Sequence, residues 1–395
     1  MSAPKISVIL TSYNHEGYIR EAIESVLNQA FTDFELIIAD DCSTDNSLDV
    51  INSYKDNRIK IYKSESNERG IINKVILAGI VKSDLIAIHH SDDVWEREKL
   101  EKQYSFLQNH PDIGAVFTKI KIVDEAGKEI SDNENLDSTS KAYLNIFDVE
   151  NRTKEAWLNH FFYYGNCLCH PSVLLRKECY QQVGFYNTYY KQLADFDFWV
   201  RLSQQYKIHV LNEKYVCFRM RNNNEKISSQ TPKALAQLQF EFFQILGNYR
   251  KIGIEQLIEI FPEEKDNIII DGSVPEYCLA KAAINAENPS AKAFGTILLA
   301  ELMRKEETRE IISKIHNFNL NDFHKIIGSM DLFKTVTIST LEHKISELSK
   351  NIDAINEEKT LLVGNISTIT QSKSWKITAL LRSLDNYFNN SRKFF

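Results

Sequence analysis

In 395 residues there are only six cysteines, Cys42, Cys167, Cys169, Cys179, Cys217 and Cys278. Six in so long a chain do not make a disulfide framework, and they point to a reducing compartment. No apolar run approaches the roughly 20 residues that carry a helix across a bilayer. Met1-Ser2-Ala3-Pro4-Lys5 leads straight into a strand-like run and lacks the long apolar core of a signal peptide. A net positive charge is missing too: 47 Lys and Arg against 54 Asp and Glu leave −7. That balance argues against a nucleic-acid coat, though not against local basic patches. Neither G-x-G-x-x-G nor G-x-x-x-x-G-K-[ST] occurs, so no dinucleotide or P-loop nucleotide site is indicated. What remains is an ordinary globular composition, 43% hydrophobic and 26% charged. It is expected in the cytoplasm, with two or three domains.

To about residue 225, strand and helix patterns alternate. β-rich runs at 6–10, 34–39, 59–62 and 85–88 are separated by helical periods at 19–27, 47–54 and 73–81. This predicts an α/β, Rossmann-like domain whose mostly parallel sheet is covered on both faces. Ligands of such sheets bind beyond the carboxyl ends of the strands. From 226 to 335 the pattern is helical and punctuated by Pro262 and Pro289, which predicts a helical domain packed on the first.

Residues 336–372 carry a heptad stripe: Leu341, Ile345, Leu348, Ile352, Ile355, Lys359, Leu362, Ile366 and Ile369. It predicts a short coiled coil, about 43 Å long at 1.5 Å per residue, through which the chain would form a homo-oligomer. A single long helix lying on the helical domain is the alternative. In the tail, 373–395, Ile377, Leu380, Leu381, Leu384 and Phe388 share one helical face, with Trp375 at its start. Lys373, Lys376, Arg382, Arg392 and Lys393 oppose a lone Asp385 there. A basic amphipathic helix of this kind suits an anionic membrane surface; docking on a protein is the other reading.

Two acidic clusters close the second and fourth strands, Asp40-Asp41-Cys42-Ser43-Thr44-Asp45 and Ser91-Asp92-Asp93. Adjacent carboxylates at an open strand end repel unless a cation or hydrogen-bond donors compensate them. A divalent ion bridging carboxylate and substrate phosphates is the usual solution. The plain structural alternative makes Asp93 the cap of a helix starting at Val94, with Glu96 completing a capping box, and Asp45 the cap of the helix after it. Tyr13, after the first strand, is placed to stack a base, and Asp41 to accept from its N–H.

Four segments in order, at family spacing, resemble the family 2 inverting glycosyltransferases of the GT-A fold, the type that builds bacterial surface polysaccharide. They are residues 4–14, 40–45, 91–93 and Leu193-Ala194-Asp195-Phe196-Asp197-Phe198-Trp199-Val200-Arg201, and the resemblance covers about residues 4–225. It implies that Thr11, Tyr13 and Asp41 contact the nucleoside base. It further implies that Asp92 and Asp93 hold the ribose and a Mn²⁺ or Mg²⁺ ion, leaving open which does which. Asp195 stands where the family has its catalytic base, with Asp197 an acidic companion. Arg69 and Asn73 fall in the stretch that lines the diphosphate side, Arg69 counted with the donor contacts, and Asp40 is a weaker member of the first cluster.

Three departures accompany the resemblance. His90 occupies the first position of the metal motif, where the family commonly has Asp; it is either an assisting ligand or a polar lining residue. Ala194 replaces the usual Glu before the base. Where relatives often have a late His, this chain reads Arg219-Met220-Arg221, so Arg221 or another group must substitute. Cys167-x-Cys169-His170 lacks a second pair at zinc-finger distance and reads as buried core.

The expectation is therefore an inverting, metal-dependent transfer of a sugar, UDP-linked in the commonest case, to a glycan or lipid-linked acceptor in surface polysaccharide such as O-antigen. The protein would sit on the cytoplasmic face of the inner membrane through its tail. A catalytically inactive glycan-binding scaffold is the rival from another class. A sugar nucleotidyltransferase is the lesser rival, since residues 11–17 are not the Gly- and Arg-rich triphosphate loop it needs.

Overall fold

The computed structural model describes residues 3–67, 70–130, 146–221, 231–265, 272–331, 335–376, 378–379 and 382–383. Two compact units divide the chain, Met1–Phe323 and His324–Phe395.

The first unit begins as the alternation predicts: β1 (Ile6–Ser12), α1 (Ile19–Leu27), β2 (Phe34–Asp40), α2 (Ser47–Asn52), β3 (Ile59–Lys63), α3 (Ile71–Leu77) and β4 (Leu85–His90). There follow β5 (Val94–Trp95), α4 (Lys99–Asn109), β6 (Ile113–Val123), α5 (Lys154–Tyr164), β7 (Leu174–Arg176), α6 (Lys177–Val183), α7 (Ala194–Gln205) and β8 (Lys207–Arg219). β2 is buried along its whole length, and β1 at all but one position. Both are near-continuous apolar runs, as strands covered on two faces require. Ile19, Ala22, Ile23 and Val26 of α1 point into that core at helical spacing.

One eight-stranded sheet results, in the order β3-β2-β1-β4-β7-β6-β8-β5. Its first half is parallel, with Ser12 opposite Asp40 and Thr11 opposite His90. The carboxyl ends of β1, β2 and β4 therefore lie level, and both acidic clusters emerge at one rim. β7 is antiparallel to β4 and to β6, while β6 and β8 are parallel. The sheet is thus mixed, with the parallel pairings in the majority. β5 runs antiparallel to β8, with Val94 opposite Cys217 and Trp95 opposite Val216. Val94 starts a strand rather than a helix, so Asp93 caps nothing. Glu96 completes no capping box and instead meets Lys121 Nζ at 2.6 Å.

Further helices follow among the described residues: α8 (Pro232–Ile245), α9 (Ile254–Ile260), α10 (Pro275–Asn285), α11 (Pro289–Arg304), α12 (Glu306–His316), α13 (Leu320–Ser329) and α14 (Thr335–Gln371). α8 to α12 pack within the first unit. Phe242 stacks on Phe196 with ring centroids 5.9 Å apart, and the Tyr249 hydroxyl donates to the Leu158 carbonyl at 2.8 Å. α10 and α11 approach so closely at Gly295 that a Cβ there would stand 2.6 Å from the Ala280 carbonyl. In the second unit, the 37 residues of α14 span about 55 Å at 1.5 Å each. Leu341, Ile345, Leu348, Ile352, Ile355, Leu362, Ile366 and Ile369 are all exposed along it. Of the tail's apolar stripe, Ile377, Leu380, Leu381, Leu384 and Phe388 lie outside the described residues. No helix among the described residues is long and apolar enough to cross a membrane.

Candidate active site

Two loops at the rim are laced together before any ligand is considered. The Asp41 amide donates to the Ser12 carbonyl at 2.8 Å and the Ser91 amide to the Thr11 carbonyl at 3.1 Å. Asn14, in the left-handed region at φ 50°, accepts from the Thr44 amide at 2.8 Å. Asp40 is fully buried and spends both carboxylate oxygens on the Ser43 amide and hydroxyl, which shapes the turn through Cys42 at φ 67°. Asp45 is not the cap expected of it: α2 starts at Ser47 with Asn46 at the N-cap, and Asp45, one residue earlier, accepts from the Ser47 amide at 3.0 Å and from the Glu16 amide at 2.9 Å. The Thr11 hydroxyl leans on the His89 carbonyl at 3.4 Å. Tyr13, 42% exposed, presents a large aromatic ring at the end of β1, open to meet a planar base.

The second cluster is tighter. His90, Asp92 and Asp93 each bring a ligand atom within 4.8 Å of the others, the only such group of three found among the described residues. Asp93 is 2% exposed. Its Oδ1 accepts from the Arg219 amide at 2.9 Å, while its Oδ2 is buried with no hydrogen-bond partner among the described residues. Burial first and the neighbouring Asp92 second hold its carboxyl well above the usual carboxylate range. A buried, half-satisfied carboxylate beside a second carboxylate and an imidazole is a donor set that fits a divalent cation. His90 is thus a member of the cluster.

Arg219 and Arg221 tie the end of β8 to this cluster. The buried Arg219 donates from Nε to the Asp92 carbonyl at 2.9 Å, from NH1 to the Glu125 carbonyl at 2.6 Å, and pairs with Glu21. Arg221 Nε lies 3.1 Å from Asp92 Oδ2, a close ion pair outside hydrogen-bond angle. Its NH1 meets His15 Nε2 at 2.8 Å, and His15 Nδ1 meets the Ser91 hydroxyl at 2.7 Å. An arginine can only donate, so His15 Nε2 accepts and Nδ1 carries the proton toward Ser91. Where the family resemblance leads one to look for a late histidine, Arg221 is the cation present.

Asp195 opens α7. Its Oδ1 accepts from the Phe196 amide at 2.8 Å and its Oδ2 from the Asn166 amide group at 3.1 Å. Burial nevertheless pushes its carboxyl up to about 6, into the range of a general base working near neutrality. Asp197 is occupied: Oδ2 meets Arg201 at 2.9 and 2.8 Å, and Oδ1 accepts from Asn248 at 2.9 Å. Arg201 in turn donates to the Val183 and Phe185 carbonyls, so Asp197 fastens α7 to the preceding loop. Asn73 is also occupied, its side-chain amide clasping the Tyr186 backbone at 2.7 and 3.2 Å. Arg69 lies outside the described residues.

A single span, residues 166–170, joins Asp195 to the cluster. Asn166 holds Asp195, and His170 Nδ1 meets His90 Nε2 at 3.1 Å. Between them the buried Cys169 thiol is driven up by burial and by the fields of Asp93 and Asp195 together. That is the chemistry of core cysteine, not of a zinc ligand.

Residues 7–176 match the family model described as glycosyl transferase family 2. The match takes in both acidic clusters and ends before Asp195. An uncharacterized glycosyltransferase of Methanocaldococcus jannaschii is 28% identical over 233 residues, 58% of this chain and 75% of that one. The O-antigen biosynthesis glycosyltransferase WbnJ of Escherichia coli is 29% identical over 50% of this chain and 71% of its own. Among solved structures, S. aureus TarS 1-349 in complex with UDP-GlcNAc gives a TM-score of 0.49 at 18% identity, covering 82% of this chain and 91% of that one. The N-terminal part of this chain is a Rossmann-like α/β domain built on a mixed, mostly parallel sheet, with helices following it.

Asn166, His170, Arg219 and Glu241 carry the site's architecture; Asn166 and Glu241 do not stand out in the sequence, and His170 and Arg219 stand there only within the Cys167-x-Cys169-His170 and Arg219-Met220-Arg221 runs. Glu241 of α8 is buried, and its carboxylate accepts from the Lys191, Gln192 and Leu193 amides at 2.9, 2.8 and 2.9 Å. A carboxylate on free amides just before a helix is favoured by the helix dipole as well. Only the oddity of a glutamate on the inward face of an otherwise apolar helix could have signalled it. Glu241→Leu strips an acceptor from three amides at once. We expect a loss of at least about 2 kcal/mol in urea unfolding, with Glu241→Gln losing less; an unchanged midpoint for the leucine variant would contradict this role.

Proposed function

We propose that this chain, a family 2 glycosyltransferase by its N-terminal domain, moves a sugar with inversion from a nucleoside diphosphate to a hydroxyl of a glycan or lipid-linked acceptor. The observation that carries the reading is the convergence of one desolvated carboxylate, Asp195, and the His90–Asp92–Asp93 cluster on the two ends of residues 166–170.

Thr11, Tyr13 and Asp41 face the base from the ends of β1 and β2, with UDP the first donor to test. Asp92 and Asp93 take the ribose and the cation between them. Mn²⁺ or Mg²⁺ held there would neutralise charge gathering on the leaving diphosphate. Asp195 accepts the acceptor's proton as that oxygen forms its bond to the anomeric carbon and the bond to the diphosphate breaks. A single displacement needs this one base, which typically supplies about 10² to 10⁴-fold. Asn166 keeps the second carboxylate oxygen oriented, and Arg221, freed from Asp92, is placed to meet phosphate. The O-antigen role printed for WbnJ supports surface polysaccharide as the product class. A basic tail and an exposed heptad stripe support attachment to the inner-membrane face and self-association through α14.

Incubation with a panel of sugar nucleotides, with and without EDTA, should release nucleoside diphosphate only in the metal-containing samples; no turnover of any donor would leave the inactive glycan-binding reading. Asp195→Asn should cut transfer by at least about 100-fold while donor binding stays within about threefold. The native state holds the Asp195 proton more tightly than the unfolded chain does. Its contribution to stability is therefore present at low pH and lost as pH rises through about 6. The asparagine variant should accordingly be no less stable at pH 8. For the wild type, kcat/KM should fall tenfold per pH unit below about 6, where the base is protonated; a flat acid limb would remove Asp195 from the mechanism. Deleting 336–371 should lower the mass measured by light scattering, and deleting 373–395 should release the protein from membrane fractions.

A further inference from the structure

His90 does not stand alone: it is the first ring of a file of four. His90 Nε2 lies 3.1 Å from His170 Nδ1, His170 Nε2 lies 3.0 Å from the Tyr186 hydroxyl, and the Tyr180 hydroxyl lies 3.1 Å from that of Tyr186. The last two are buried in the core. The two middle members are also fixed by groups outside the file. Asn73 clamps the Tyr186 backbone, and the Tyr186 ring packs on Phe198 at 4.9 Å. His170 meets the Trp199 ring edge-on at 5.9 Å. At the other end of the file, His90 Nδ1 faces the unpartnered Asp93 Oδ2 at 3.8 Å, too far for a hydrogen bond.

We infer that His90 Nδ1 is a third ligand of the cation site and that His170, held by Tyr186 and Tyr180, is the positioning residue that makes it one. The inference rests on the metal-dependent reading above and names atoms that reading leaves open. Two proton orders satisfy the file. In one, His170 Nδ1–H donates to His90 Nε2, and His90 Nδ1–H points at the carboxylates. In the other, His90 Nε2–H donates to His170 Nδ1, His170 Nε2–H donates to Tyr186, and His90 Nδ1 presents a lone pair. Both orders keep both imidazoles neutral, and only the second can ligate. A tautomer fixed by the hydrogen bond on the opposite ring nitrogen is how ligating histidines are held. The Asp93 Oδ2 left without a donor is the atom that would share the ion with that lone pair.

An imidazole in place of an all-oxygen set changes which ion is preferred. Mg²⁺ demands oxygen donors, whereas Mn²⁺ accepts nitrogen readily and lies in the series whose affinity grows at nitrogen sites. The site should therefore favour Mn²⁺ over Mg²⁺, and His90→Asp, which supplies a carboxylate at the same position, should narrow that preference.

Electron spin-echo envelope modulation of Mn²⁺ bound to the full chain, alone and with UDP, should show ¹⁴N coupling from a directly ligated nitrogen. His90→Gln should abolish that modulation and weaken Mn²⁺ at least about tenfold by titration, while His90→Asp restores affinity without it. His170→Phe, which removes the acceptor for Nε2–H, should cost about 10 to 100-fold in Mn²⁺ affinity, and His170→Asn, which can still accept there, should recover most of it. Modulation that persists in His90→Gln would overturn the ligand assignment, and equal losses in both His170 variants would overturn the positioning role. Mn²⁺ that binds the wild type with UDP but shows no ¹⁴N coupling would refute this inference and leave the metal-dependent reading standing. No Mn²⁺ binding even with UDP would end both.

Discussion

Two carboxylates set side by side at the edge of a water-poor sheet repel one another, and the site is arranged around that repulsion. Removing such a group from water costs several kcal/mol unless its charge is answered. In this protein the charge is answered only in part. One oxygen of Asp93 takes a backbone amide, Asp92 takes the approach of Arg221, and the remaining inward oxygen takes nothing. A fold that leaves one anionic atom short of a partner favours whatever brings positive charge, whether a proton or an ion. The raised affinity of Asp93 for a proton expresses the same shortfall.

The second organising fact is economy of connection. Residues 166–170 touch Asp195 at one end and the His90–Asp92–Asp93 cluster at the other, so a shift in either reaches its counterpart through five residues of chain. The aromatic rings of α7 pack against the same span. Asp195 and the cluster are thereby held to one another, and not merely each to the sheet.

Much of this architecture is legible in the chain, and the reasons are physical. β-branched runs ending in Asp pairs at 40–41 and 92–93 announce parallel strands whose open ends carry charge, because few other contexts tolerate adjacent carboxylates. Asp195 comes from resemblance, not from periodicity. Reading from sequence goes astray where a side chain's partner lies far along the chain. Asp93 resembles a helix cap because the strand pairing of Val94 with Cys217 spans more than a hundred residues. The polarity of Asn73 and Asp197 is visible in the sequence, whereas the Tyr186 backbone and the Asn248 side chain that engage them are not. His170 escapes notice for a complementary reason: a histidine next to two cysteines invites a metal reading of its own, and its real neighbours are a histidine and a tyrosine elsewhere in the sequence.

Glu241 belongs to a helix that begins after the strand-and-helix alternation has ended, yet its carboxylate fastens the turn that leads into Asp195. A recombinant chimera that joins the first 225 residues to a foreign C-terminal half would inherit both acidic clusters but leave the clasp behind. Any exchange of parts between relatives, natural or engineered, must carry α8 along with the sheet, so the smallest portable unit of this protein is larger than its recognisable signature.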